Sequence, residues 1–151
     1  MMTHLSALDR VSRLHGNRPA IIDQEQNFTW SEHIDRISRV AGFLLKLGVR
    51  PGNRFGIICE NAFRYTELLH AGYWGGAIPV PINHRLAPPE ILQILEDAEC
   101  KLLALGRDFL SLLDEAAVAE TAKQLGVESD KSMGRGKLID EIFDEKCERQ
   151  L

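Results

Sequence analysis

Residues Gly134-Arg135-Gly136-Lys137 place two glycines, an arginine and a lysine just ahead of a helical pattern. Glycine turns that open a helix can cradle phosphate, because backbone N–H groups and a lysine converge on the anion. A Walker-type loop needs GxxxxGK[ST] between a buried strand and a helix. Here the glycines stand closer together, Leu138 sits where the hydroxyl belongs, and the polar residues Glu128 to Ser132 precede them. The spacing predicts a flexible lead-in to a helix whose Ile139, Ile142 and Phe143 pack inward. Asp140, Glu141, Asp144 and Glu145 pair like catalytic carboxylates, but the same pattern describes the solvated face of that helix. A preceding helix, with Val118, Ala122 and Leu125 inward and Gly126 at its end, is its expected partner.

The other chemistry-bearing side chains are dispersed. Cys59, Cys100 and Cys147 form no CxxC or CxH spacing, which argues against zinc and reads as reduced cysteines in a cytoplasmic protein. His4, His15, His33, His70 and His84 are scattered and read as surface or cap histidines, and neither HExxH nor GxSxG occurs. No catalytic, cofactor-binding or metal-ligating residue is assigned from these patterns.

With 44% hydrophobic and 26% charged residues over 151 positions, the chain can bury a core. No apolar run approaches the ~20 residues of a membrane span. The first ten residues lack the basic start and apolar centre of a secretory signal. A net charge of −4 offers no general attraction to nucleic acid or membrane. The balance shifts near residue 114: up to Leu113 there are 12 basic and 12 acidic side chains, and from Asp114 there are 6 and 10. All six prolines fall before that point. Two segments are therefore expected, 1–113 and 114–151.

The first segment reads as α/β. AIID and NFTW flank Gln24-Glu25-Gln26 as an extended pair. Thr29 and Glu32 have capping-box spacing and predict a helix with Ile34, Ile37, Val40, Leu44 and Leu47 on its inner face, ending at Gly48. After the Pro51-Gly52 turn, Phe55 to Cys59 is a short apolar run fit for a buried strand. Asn61 is the expected cap of a helix through about Trp74, stopped by Gly75-Gly76. Ala77 to Val80 is a strand whose prolines suit a strand end or sheet edge. Pro88 opens a helix with Ile91, Leu92 and Leu95 inward, and Lys101 to Leu105 is a third strand. Strand–helix–strand–helix–strand with short links predicts a partial parallel sheet with flanking helices, followed by the C-terminal helical pair. Strand order is left open.

"FTWSEHIDRISRVAGFLLKLGVRPGNRFGIICEN" followed by "HAGYWGGAIPVPINHRLAPPEI" resembles the N-terminal region of the AMP-binding acyl-CoA synthetases, the adenylate-forming ligase superfamily, over about Ala7 to Leu113. Asn53 departs from the family's usual aspartate after the turn glycine. The resemblance implies activation of a carboxylic acid with ATP and Mg²⁺ to an acyl-adenylate, then transfer to coenzyme A. It also implies a glycine-, serine- and threonine-rich triphosphate loop with a lysine, carried downstream of the matched region. The chain's four threonines, Thr3, Thr29, Thr66 and Thr121, adjoin no glycine-rich stretch. No cofactor is therefore expected for this chain, although the family uses ATP, Mg²⁺ and coenzyme A. "AETAKQLGVESDKSMGRGKLIDEIFDEKCE" resembles a stretch inside class II lysyl-tRNA synthetases, over about Glu115 to Leu151. That resemblance implies a helical pair without the motifs that bind ATP and amino acid.

The leading expectation is an incomplete, inactive ligase framework. A second is a non-catalytic interaction module that self-associates or binds a protein through exposed apolar surface, with Phe63, Tyr65, Tyr73 and Trp74 as candidates and core packing of some of them as the competing reading. A third is a residual anion site at the carboxyl ends of the parallel strands, near Glu60-Asn61, Pro81-Ile82-Asn83 and Gly106-Arg107, using Asn83, Arg85 and Arg107. The competing reading of these three is turn residues and solvated arginines.

Overall fold

Thr29 ends a strand and caps a helix at once. In the computed structural model of the chain, which describes residues 3–23 and 26–112, the Glu32 N–H donates to the Thr29 hydroxyl at 3.3 Å. The Thr29 N–H donates to the Glu32 carboxylate at 2.8 Å. This capping box satisfies two otherwise orphaned donors. The Thr29 bonds also hold the Glu32 carboxyl below its ordinary pKa, the backbone N–H first and the hydroxyl second.

The element order is α1 (His4–His15), β1 (Pro19–Ile22), β2 (Asn27–Thr29), α2 (Trp30–Lys46), β3 (Arg54–Ile58), α3 (Phe63–Gly75), β4 (Ile78–Pro81), α4 (Pro88–Asp97) and β5 (Cys100–Leu105), then a 3₁₀ turn at Arg107–Leu112. The expected strands are all present, with ends shifted by one residue. The helical pair, the acidic face and the glycine turn expected in 114–151 lie outside the described residues, as does Cys147. The described residues fall into two units. One takes in those up to Pro51 together with Asn61–Ala77, and the other takes in Gly52–Glu60 and those from Ile78 onward.

The first unit holds α1, the antiparallel β1–β2 hairpin, α2 and α3. Two sequence expectations are corrected here. The buried face of α2 is His33, Ile37, Val40, Ala41 and Leu44, while Ile34 and Leu47 are only half-buried. The apolar stripe alone could not show that a histidine would occupy the inner face. Asn61 is not the cap of α3. Ala62 holds that position without a side-chain bond, and the Phe63 N–H donates to Asp23 Oδ2 at 3.0 Å. A carboxylate from the end of the hairpin thus satisfies the helix start and favours its dipole.

Helix α1 was not anticipated. Its capping box uses Ser6 in place of the usual Glu or Gln, and only Leu8 of its apolar residues is buried, so its stripe is weak. Gly16, at its end, lies against the start of α2, where the Ser31 N–H donates to the Gly16 carbonyl at 3.0 Å. Gly76 ends α3 in the left-handed region, φ 72°, which a glycine adopts without steric cost.

The second unit is a parallel sheet of order β4-β3-β5 with α4. Pro79 and Pro81 sit on the edge strand β4, where a missing N–H costs least. From Phe55 to Ile58 every residue of β3 is buried, at odd and even positions alike. Helix α4 starts at Pro88, with the Ala87 N–H donating to Glu90 Oε2 at 2.8 Å. Ile91 and Leu95 are fully buried and join Ile58, Ile82 and Cys100 in one apolar cluster, whereas Leu92, expected inward, is only half-buried. Each such fully buried aliphatic side chain contributes about 1.5–3 kcal/mol. Among the described residues, no helix is long and apolar enough to cross a membrane.

Two glycines of the first unit should respond in opposite directions. A Cβ on Gly16 would lie 2.5 Å from Ser31 Oγ and 2.8 Å from the Ser12 carbonyl oxygen. Gly16→Ala should therefore lower stability by about 1–3 kcal/mol through overpacking. Gly42, exposed within α2, has nothing within 4 Å of an added Cβ. Gly42→Ala should raise stability by about 0.5–1 kcal/mol. Urea unfolding midpoints of the two variants measure both, and a shift in the same direction would refute the packing account.

Candidate functional site

The strongest concentration of ionisable side chains in the first unit lies where α2 faces α3. His33 and Arg36 stand three apart on α2, and Glu67 and His70 stand three apart on α3, so each pair shares one helix face. Glu67 is fully buried and is held in a fork by Arg36. Arg36 Nε donates to Oε1, and Nη2 donates to Oε2 at 3.3 Å. The Arg36 guanidinium lies 4.4 Å from the centroid of the Phe28 ring and 5.8 Å from that of Phe63. Those two rings meet at 5.5 Å in a tilted pair. Arg64 sits over the Phe63 ring at 5.4 Å. Cation–π contacts of this kind favour a partly desolvated arginine.

Burial raises the Glu67 carboxyl pKa, and the Arg36 hydrogen bond and the Arg36 and Arg64 charges pull it back down. Beside this pair, His33 Nε2 and His70 Nδ1 are 2.8 Å apart. His33 is fully buried, and its pKa is pushed down to about 4, first by burial and then by His70 and Arg36. These groups form a structural polar seam. The carboxylate is engaged by Arg36, and among the described residues no group of three or more His, Cys, Asp or Glu is placed to hold a metal.

An open cleft of about 490 Å³ runs between β1 and the start of α3, lined by residues including Ile21, Ile22, Asp23, Asn61, Phe63 and Tyr65. Its acidic group, Asp23, already accepts the Phe63 N–H.

In the second unit, the carboxyl ends of β3, β4 and β5 share one edge, as parallel pairing requires. Two backbone donors there bond within the sheet. The Ile82 N–H donates to the Ile57 carbonyl at 2.9 Å, and the Gly106 N–H donates to the Ile58 carbonyl at 2.7 Å. Asn83 Oδ1 accepts the Arg85 N–H at 2.9 Å, a local turn bond. Asn83, Arg85 and Glu60 are exposed, and the side chain of Arg107 lies outside the described part. The His84 and Phe109 rings meet in a tilted pair with centroids 4.8 Å apart. Asn61 belongs to the first unit. Neighbouring Cys59 is a protonated thiol, its pKa raised to about 11 by burial and then by Glu60. It is no nucleophile at neutral pH.

The chain matches the AMP-binding enzyme family over residues 8–148. It belongs to that family. The sequence is 33% identical to the peroxisomal benzoate–CoA ligase of Arabidopsis thaliana over 76% of this chain and 20% of that protein. It is 28% identical to the 4-hydroxybenzoate–CoA/benzoate–CoA ligase of Rhodopseudomonas palustris over 71% of this chain and 20% of that protein. Among solved structures it is similar to the anthranilate CoA ligase AuaEII in complex with anthranoyl-AMP. The TM-score there is 0.72 and the identity 25%, over 80% of this chain and 23% of that one. The chain thus spans about a fifth of the length of the curated relatives it matches.

Within this AMP-binding family member, Asn53 stands just ahead of β3, and its carbonyl accepts the Ile78 N–H at 2.8 Å. Of the four aromatic candidates, Phe63 follows the core-packing alternative and is buried within the seam, while Tyr65, Tyr73 and Trp74 are half-buried. Sequence reasoning missed the seam altogether. The available signal was a histidine and an arginine interrupting the apolar stripe of one helix and a glutamate at the centre of the next.

The seam makes a quantitative prediction. Arg36→Ala strands a buried carboxylate and should cost about 3 kcal/mol or more of stability. The double change Arg36→Met with Glu67→Leu removes both charges and should cost much less than that single change. Chemical denaturation of both variants checks this, and equal losses would rule out a stranded charge as the cause.

Proposed function

We propose that this chain supplies the N-terminal framework of an ATP-dependent carboxylic acid–CoA ligase, and that these 151 residues alone form no acyl-adenylate. The observation that carries the reading lies at the sheet edge. The amides of Ile82 and Gly106, placed where an open α/β sheet would receive an anion, donate to carbonyls of β3. Those two amides are not free to bind a phosphate at that edge. The sequence also lacks a glycine-, serine- and threonine-rich stretch with a lysine that would grip one. The three relatives described above are named as CoA ligases of benzoate, 4-hydroxybenzoate or anthranilate, which supports a carboxylic acid as the substrate class of the whole protein. A cytoplasmic location goes with the free thiols Cys59 and Cys100.

The segment from about Glu115 carries wording close to lysyl-tRNA synthetases, at Ser132 to Phe143, which supports a joined fragment of that origin. The AMP-binding match, which continues to residue 148, is the competing assignment. An uninterrupted genomic frame across the Asp114 codon would support a genuine fusion.

A second reading, an interaction module, is favoured by Ile22, which is 81% exposed at the mouth of the cleft. Light scattering of the purified chain should show a concentration-dependent mass if the module self-associates, and a monomer at all concentrations would rule out self-association.

The leading reading is tested by ATP–pyrophosphate exchange with benzoate, substituted benzoates, fatty acids and lysine. Exchange should equal the no-enzyme blank. Exchange well above it with any acid would overturn the proposal.

A further inference from the structure

We propose that the His33–His70 contact makes the seam between α2 and α3 an acid-sensitive latch, whose protonation releases α3 from α2. The two imidazole nitrogens are 2.8 Å apart, so one of them must donate. Among the described residues, His33 Nδ1 is buried without a hydrogen-bond partner. If His70 donated, His33 would carry its own proton on that Nδ1, a buried donor with no acceptor. The better arrangement has the His33 Nε2–H donating to His70 Nδ1, which leaves a bare lone pair on His33 Nδ1. Each nitrogen still open to a proton is then blocked. A proton on His33 Nδ1 is a buried cation without an acceptor, and a proton on His70 Nδ1 destroys the bond between the rings.

The surrounding charges oppose a cation as well. Arg36 acts on His33 from the same helix, and His4, stacked on Tyr73 at 4.8 Å, acts on His70 from α1. From α3, Glu67 is committed to Arg36, with Arg64 also acting on that carboxylate. The hairpin presents the Phe28 ring to Arg36, and its Asp23 carboxylate is engaged at the Phe63 N–H. Trp30 packs edge-on to His33 at 6.1 Å.

The direction with pH follows from linkage. Folded His33 refuses a proton until about pH 4, whereas the unfolded chain takes one near 6.5. Stability is therefore lost as pH falls through that window. His70, also lowered by burial and by His4, acts in the same direction. Glu67 acts in the opposite direction, because its raised carboxyl pKa favours the folded state as pH falls. The test must therefore compare chains that differ only at His33.

The experiment is amide hydrogen exchange on the full chain from pH 7 to 4.5, corrected for intrinsic rates. Protection of α2 and α3 amides should fall by up to about tenfold per pH unit for each proton taken up. His33→Gln keeps a donor for His70 but cannot charge, and should flatten that slope. Should the variant not fold, the His33 ring resonance of the natural chain serves instead. It should hold its neutral position down to about pH 4–5 and shift only as α2 and α3 lose protection. A His33→Gln chain with the natural slope would overturn the latch. So would His33 taking a proton near pH 6.5 with protection unchanged.

Discussion

A fully buried glutamate needs a partner, and in this chain Glu67 has one in Arg36. An uncompensated carboxylate in the interior costs several kcal/mol, so the fork from Arg36 decides how α3 can lie against α2. Turning α3 by one residue, about 100°, would carry the carboxylate away from the guanidinium and strand both charges. Arg36 is itself set by the rings of Phe28 and Phe63, one from the hairpin and one from the first turn of α3. Asp23 ties the hairpin end to the start of α3 a second time. Three elements are thus held in register by polar groups as well as by apolar contact.

The second unit achieves its order by other means. Ile58, Ile82, Ile91, Leu95 and Cys100 form an apolar cluster, and Gly56 admits Leu95 and Leu103 so closely that a Cβ would lie 2.7 Å from one and 3.0 Å from the other. At the carboxyl edge of that sheet, the Ile82 and Gly106 amides donate to β3 carbonyls.

Most of the described fold was legible because its causes are local. The capping box of Thr29 and Glu32, the left-handed stop at Gly76, the proline start of α4 and the prolines of β4 each depend on atoms within about four residues of chain. Helix α1 escaped because its box uses a serine and its buried stripe is a single leucine. The turn after α4 also carried no signal: Glu99, not a glycine, takes φ 50° there.

By itself, the sequence determined the described strands and the helices after α1, the burial of β3, and the family, since the motifs lie in order along the chain. Only the tertiary structure decided that β3 is central, that Asp23 caps α3, and that His33 and Glu67 face inward. Those outcomes join groups 31, 37 and 40 residues apart. A polar side chain is buried only where a partner arrives to satisfy it, and no local rule records the position of a partner so far along the chain.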